Sequence, residues 1–257
     1  MLVREDAIIE ERLRQAGCVA AAEERHELRA AARDGAHLEQ LLSRREQGEP
    51  LAWITGSIAF AGAIVLVDQD VYVPRLQSEE LARRASRLLD RAKAPRRAAD
   101  LCTGAGALAR YLGLAVPDAQ IVGVDIDERA VRCARRNGVC ALVGNLADPL
   151  TPGAFDVVTA IAPYVPTTQI SFLPPDVVKY EPRGALDGGE DGLDVVTALL
   201  GSASEILRPG GSLLLEIGGD QAESVWSSLE ARGYGHVEIW SDEEGDLRGI
   251  MARWTPS

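Results

Sequence analysis

Long apolar runs are missing from this 257-residue chain: no stretch approaches the roughly 18 consecutive apolar residues that a membrane-spanning helix needs. The N-terminus, Met1-Leu-Val-Arg-Glu-Asp-Ala, mixes charges and shows no apolar signal region, so a cytoplasmic location is expected, with no membrane partner. Histidine is scarce, and His26, His37 and His236 lie far apart. The four cysteines, Cys18, Cys102, Cys133 and Cys140, form no C-x-x-C pair. Reduced thiols and no metal site are the expectation. Positive charge is in deficit as well: the net charge is -12, which argues against a nucleic-acid partner. It is compatible with a cationic ligand or a basic protein.

Apolar residues are plentiful enough, at 46%, for a sizeable core. Residues 5–46 are rich in Ala, Glu, Arg and Leu and lack proline. Leu13, Ala16, Ala20, Leu28, Ala31, Leu38 and Leu41 recur at roughly helical spacing, which predicts two or three short helices. Residues 58–73 alternate around Gly62 and read as a β-hairpin. Ser78 is placed to cap a helix over 79–92. From residue 97 the rhythm changes. Strands are expected near 97–101, 121–125, 139–143, 155–160, 211–217, 235–240 and 247–254. Helices are expected near 105–114, 127–136, 191–207 and 219–232. This alternation implies an α/β fold with a mostly parallel, doubly wound sheet, closed by an antiparallel hairpin of the last two strands. The segment 161–190 is long, rich in Pro and Gly and without periodicity, as functional loops are. The division expected is a helical piece at 1–56, a hairpin linker at 57–78 and an α/β domain at 79–257.

The most informative stretch is Asp100-Leu-Cys-Thr-Gly-Ala-Gly106, followed by Ile121-Val-Gly-Val-Asp125. It reads as a buried strand, a glycine turn, a helix start and a second strand ending in a carboxylate, the front half of a nucleotide-binding unit. Gly104 and Gly106 with Ala109 also satisfy a dinucleotide fingerprint, so Asp100 discriminates. A carboxylate at that strand edge would repel a pyrophosphate, whereas S-adenosylmethionine carries an ammonium and a sulfonium and no phosphate. Asp100 would receive the ammonium directly or through water. The backbone of residues 103–107, with Cys102, Thr103, Gly104 and Gly106, would approach the methionine part closely, glycines having no Cβ. Asp125 would bind the ribose hydroxyls with Ile126 beside it, or else cap the helix at 127–136. Asn145 either accepts from the adenine amino group or is a turn residue. Pro163-Tyr164, after the strand at 155–160, either walls an acceptor site or is a plain turn with Tyr164 packed beneath the loop. Glu216 ends a strand and faces the crevice or solvent. Arg75 and Glu79, one helical turn apart, are either near the cofactor or an exposed ion pair worth little.

Beyond these residues, the chain from about 49 to 250 resembles the HemK/PrmC-type protein N5-glutamine methyltransferases. Glu49-Pro-Leu-Ala-Trp-Ile-Thr-Gly56 is similar to that family's E-P-x-A-Y-L-T-G linker, and Val73-Pro-Arg-Leu-Gln-Ser-Glu79 to its V-P-R-x-x-T-E element. Glu181-Pro-Arg-Gly-Ala-Leu-Asp-Gly-Gly-Glu-Asp-Gly-Leu-Asp194 and Leu207-Arg-Pro-Gly-Gly-Ser-Leu-Leu-Leu-Glu-Ile-Gly218 match two later stretches. The resemblance implies a class I, Rossmann-like methyltransferase fold of seven strands, a helical N-terminal recognition domain, S-adenosylmethionine as donor, and a release factor or ribosomal protein as acceptor. The family's signature Asn-Pro-Pro-Tyr stands here as Ile161-Ala162-Pro163-Tyr164. In the family the Asn oxygen and a neighbouring backbone carbonyl accept the substrate N–H bonds and aim its nitrogen. Ile161 has no acceptor, Ala162 leaves its carbonyl available, and Asn145 replaces a usual Asp. Three expectations follow: glutamine methylation, methylation of a small-molecule acceptor better suited to an apolar site, or a binding protein that retains the cofactor.

Overall fold

The computed structural model describes residues 2–256. Three helices open the chain, α1 (Leu2–Gln15), α2 (Ala21–Ala31) and α3 (Gly35–Glu46), followed by the short α4 (Leu51–Thr55). Asp34 caps α3, accepting from the His37 N–H at 2.8 Å. The helices share one apolar cluster built on Ile9, Leu13, Leu28, Leu38, Leu41, Leu42 and Ile54. Ala16 and Ala20, expected in this pattern, are exposed. They fall where the chain turns between α1 and α2, so helical spacing does not carry across them.

The linker hairpin consists of β1 (Ser57–Phe60) and β2 (Ala63–Leu66), paired antiparallel. Ala61 and Gly62, at φ +47° and +82°, form the two-residue turn that suits the right-handed twist of the strands. The hairpin is shorter than expected, and residues 67–73 leave it without strand partners. Asn137 fixes it to the rest of the protein: its amide oxygen accepts from Leu66 N–H, and its amide nitrogen donates to the carbonyls of Leu66 and Ala105.

After α5 (Glu79–Arg91) come β3 (Arg97–Leu101), α6 (Ala107–Ala115), β4 (Gln120–Asp125), α7 (Glu128–Arg136), β5 (Cys140–Val143) and β6 (Phe155–Ala160). The chain continues through α8 (Pro175–Tyr180), α9 (Asp194–Ile206), β7 (Leu207–Glu216), α10 (Ala222–Ala231), β8 (Tyr234–Ser241) and β9 (Leu247–Trp254). The seven strands lie in the order β5-β4-β3-β6-β7-β9-β8, parallel except for β9, which runs antiparallel to both neighbours. Central strands read as apolar runs because both faces are covered: Ala98, Ala99 and Leu101 of β3 and Leu213–Leu215 of β7 are all buried. The switch point lies between β3 and β6, where strand order reverses, so the carboxyl ends of β3, β4 and β6 face one crevice.

Two local expectations are corrected. Ser78 does not cap α5: it already has helical dihedrals, follows a 3-10 turn over Leu76–Ser78, and gives its hydroxyl to Glu216 Oε2 at 2.5 Å. The segment 161–190 is structured, with 3-10 turns at Thr167–Phe172 and Arg183–Ala185 flanking α8. Its α8 end rests on the N-terminal helices, since Lys179 and Tyr180 both donate to the Gln47 carbonyl and Tyr180 packs edge-on against Trp53.

Candidate functional site

Two cavities meet at the end of β6. The first, of about 500 Å³, is lined by Cys102, Gly104, Asp125, Ile126, Asn145, Ile161 and Pro163, together with Tyr72, Arg129 and Val195. Five of the residues assigned to the cofactor from sequence thus line one hollow. Gly104, at φ +55°, has nothing within 4 Å of where a Cβ would stand, so its backbone is open to a ligand. Cys102 also adopts a left-handed φ, +56°, uncommon for a residue with a side chain. Burial pushes its thiol pKa up, so it stays protonated.

Asp125 closes β4. Its Oδ2 accepts from Gly104 N–H at 2.8 Å and its Oδ1 from Asp127 N–H at 2.9 Å. Burial raises its pKa, and those N–H bonds oppose the rise. The alternative role of helix cap belongs to Asp127, which accepts from Arg129 N–H. A carboxylate has about four acceptor directions, so Asp125 retains room for two hydroxyls. Ile126 is 73% exposed although apolar, and it lines the hollow. Asn145 is a turn residue in its backbone, its carbonyl accepting from Asp148 N–H, while its side chain lines the hollow.

Asp100 sits one layer deeper, only 2% exposed. Thr103 and Thr159 donate their hydroxyls to its two oxygens at 2.6 and 2.7 Å. Burial is nevertheless dominant and lifts its pKa from 3.8 to about 6. Asp100 and Thr103 line a void of about 30 Å³ beside the main hollow, bounded also by Cys102, Gly104 and Ile161. Gly106 has another task. A Cβ there would meet Ala134 Cβ and Val139 Cγ2 at 3.0 Å, so this glycine permits α6 to start against α7, a packing role beside the expected approach to a ligand.

The second cavity, of about 380 Å³, lies on the other side of Ile161 and is lined by Ala162, Tyr164, Arg75, Gln77, Leu173, Val177, Glu216 and Arg248 among others. Tyr72, Ile161 and Ala185 border both cavities. Tyr164 donates its hydroxyl to Glu216 Oε1 at 3.0 Å, and Ser78 holds the other oxygen. Burial raises the pKa of both Tyr164 and Glu216, so a proton stays on the phenol between them. Gln221 donates to the Tyr164 carbonyl at 2.8 Å and fixes the backbone from behind. Glu216 therefore faces the crevice. Arg75 reaches Glu181 Oε1 at 2.5 Å and lies over the Tyr72 ring at 4.8 Å. Burial pushes the Tyr72 phenol up to about 12.

The pairing expected of Arg75 with Glu79 is thus corrected: Arg75 serves the second cavity. Glu79 accepts from Ala61 N–H at 2.8 Å, pairs with Arg83, and lines neither cavity. Sequence reasoning missed Thr159, Tyr72, Glu181 and Gln221. Glu181 and Gln221 stand in or beside motif stretches but carry no local sign of their partners.

A methyltransferase-domain family matches residues 98–173. The release factor glutamine methyltransferase of Geobacter sulfurreducens is 38% identical over 221 residues, covering 83% of this chain and 76% of that protein. The protein of the same name from Salmonella typhimurium is 34% identical over 226 residues, covering 85% and 80%. Among solved structures, the E. cuniculi Mtq2–Trm112 complex, described as responsible for methylation of the eRF1 translation termination factor, aligns with a TM-score of 0.54 at 23% identity, covering 73% of this chain and 99% of that one. At that identity the likeness shows the fold, the Rossmann-like sheet of class I methyltransferases. No described helix is long and apolar enough to cross a membrane. Relatives this similar over this much of both chains, joined to a hollow at the β3–β6 switch point, make the chain a member of the release factor glutamine methyltransferase family, an S-adenosylmethionine-dependent methyltransferase.

Proposed function

We propose that this chain methylates the side-chain amide of a glutamine in a translation termination protein. The observation that carries the reading is the meeting of the two cavities at Ile161–Tyr164, directly after β6. When bound, S-adenosylmethionine supplies a methyl group on a sulfonium that a positioned lone pair can take. The residues of the hollow beside Asp125 fit it. Asp125 has acceptor directions free for the ribose diol, Ile126 offers an exposed apolar ledge to the base, and Asn145 offers an amide oxygen to its amino group. Gly104 admits the methionine part. Asp100 lies behind its threonine hydroxyls, next to a void roomy enough for one water, and would hold the ammonium through a water bound there. No metal takes part in this scheme.

On the acceptor side, Pro163 and Tyr164 frame the amide, and Glu216 with Gln221 holds Tyr164 in place. A carboxamide nitrogen is a poor nucleophile, so orientation is most of what the site can contribute. The Ala162 carbonyl accepts no hydrogen bond among the described residues, and it is the acceptor left for a substrate N–H. Ile161 supplies none. One amide N–H left unpaired costs about 1–3 kcal/mol, a slowing of roughly 5- to 150-fold. The test is incubation with methyl-labelled S-adenosylmethionine and a release-factor domain, followed by mass-spectrometric localisation of the label. Label on a glutamine amide is expected; label on another group, or none under saturating cofactor, overturns the reading. Ile161, Leu173 and Val177 also give the second cavity an apolar wall, which favours as a second reading a small-molecule acceptor.

A further inference from the structure

A third hollow, of about 1000 Å³, opens alongside Tyr164 and is unused by the chemistry described above. It runs between the 3-10 turn at Thr167–Phe172, the loop at 190–193 and the loop at 218–221 that leads into α10. It shares Tyr164, Val165 and Leu173 with the acceptor cavity, so a chain lying in it continues directly to the methyl-accepting position. Phe172, 86% exposed, stands in its wall. Glu190, Asp191 and Asp220 supply its charge, and no lysine or arginine lines it. Among the described residues none of these three carboxylates has an ion-pair partner, although most of this chain's arginines are paired. An apolar handle and uncompensated acids beside the acceptor position match a peptide with cationic and apolar side chains.

We propose that this groove binds the segment of the acceptor protein that flanks the methylated glutamine, and that this segment carries lysine or arginine next to an apolar residue. The proposal rests on the reading of a protein glutamine as acceptor. Binding there orients the glutamine by holding its neighbours, which partly offsets the hydrogen bond that Ile161 does not make. The attraction acts between exposed charges and weakens with salt.

The test uses the full-length protein and three glutamine-centred peptides of equal length, flanked by arginines, serines or glutamates. Calorimetry on the wild type at low salt should rank them arginine, serine, glutamate, with about tenfold between steps, narrowing as salt is raised. The combined variant Glu190→Gln, Asp191→Asn, Asp220→Asn keeps side-chain shape and should bring the three affinities together. Phe172→Ser should weaken all three alike. Equal affinities in the wild type, a ranking that survives in the combined variant, or no detectable binding of any peptide overturns the proposal. Methylation of the same peptides is followed separately. A charge ranking without methyl transfer to any glutamine sinks the acceptor reading alone; transfer without a charge ranking sinks the groove alone.

Discussion

On the proposed donor side of Ile161, both carboxylates have partners: Asp125 is held by two backbone N–H groups and Asp100 by two threonine hydroxyls. On the acceptor side Tyr164, Glu216 and Ser78 form an equally complete chain of hydrogen bonds, yet the position that should grip the substrate is an isoleucine. The scaffold of the acceptor site is intact while the contact to the acceptor has changed. On the proposed assignment, donor binding and acceptor orientation rest on different polar groups, and substitutions confined to one of these sets should leave the other side's affinity alone.

The largest expected effect is on the donor side. Asp125→Ala removes the acceptors for the diol and frees the Gly104 and Asp127 N–H groups. Cofactor affinity should fall about 300-fold by calorimetry, two charged hydrogen bonds being worth about 3.4 kcal/mol together, while binding of an acceptor peptide is unchanged. A parallel loss of peptide binding would break the separation.

Next is Asp100. Its carboxyl is raised from 3.8 to about 6 in the folded protein. Between those pH values the native state holds a proton that the unfolded chain has released, so stability falls as pH rises through the window. The loss is complete above about pH 6 and amounts to at most about 3 kcal/mol. Asp100→Asn does not titrate. Its stability relative to the wild type should rise between about pH 4 and pH 7 in urea unfolding. A difference that stays flat would mean that the threonine hydroxyls cancel the cost of burial.

Arg75→Met should cost about 2 kcal/mol, because it removes one charged hydrogen bond from buried Glu181 while Arg75 itself is partly exposed. The expected melting temperature is about 6 °C lower, and Glu181→Leu in the same chain should restore most of it. Cofactor affinity should not move. Smallest is Tyr164→Phe, which removes one hydrogen bond to Glu216 worth about 1 kcal/mol. It should raise the KM for acceptor about fivefold and leave the cofactor Kd as it was.

Which parts of this were legible in the sequence follows from distance along the chain. Asp100, Gly104 and Asp125 belong to one strand–turn–strand unit, and local spacing places all three. The β9 insertion between β7 and β8 was legible only as a hairpin, since periodicity reports strands and not their neighbours. Ser78 reads as a cap because serine before a helix usually is one. Its true partner, Glu216, is 138 residues away, and only the sheet order brings them together. Arg75 and Glu181 are separated by 106 residues, and Asp100 and Thr159 by 59. Gly106 matched a ligand-loop pattern, yet its missing Cβ is demanded by Ala134 and Val139, a packing need that no local pattern carries.

Ile161 borders both cavities, and on the proposed reading it slows transfer through the hydrogen bond it cannot offer the acceptor amide. The most direct test is methyl transfer to a release-factor glutamine by the wild type and by Ile161→Asn, with the cofactor Kd measured on both. An unchanged Kd is expected, with a rise in kcat/KM of about 30-fold, the gain of one hydrogen bond to an otherwise unpaired N–H. A variant no faster than the wild type on glutamine, with cofactor binding intact, would contradict it.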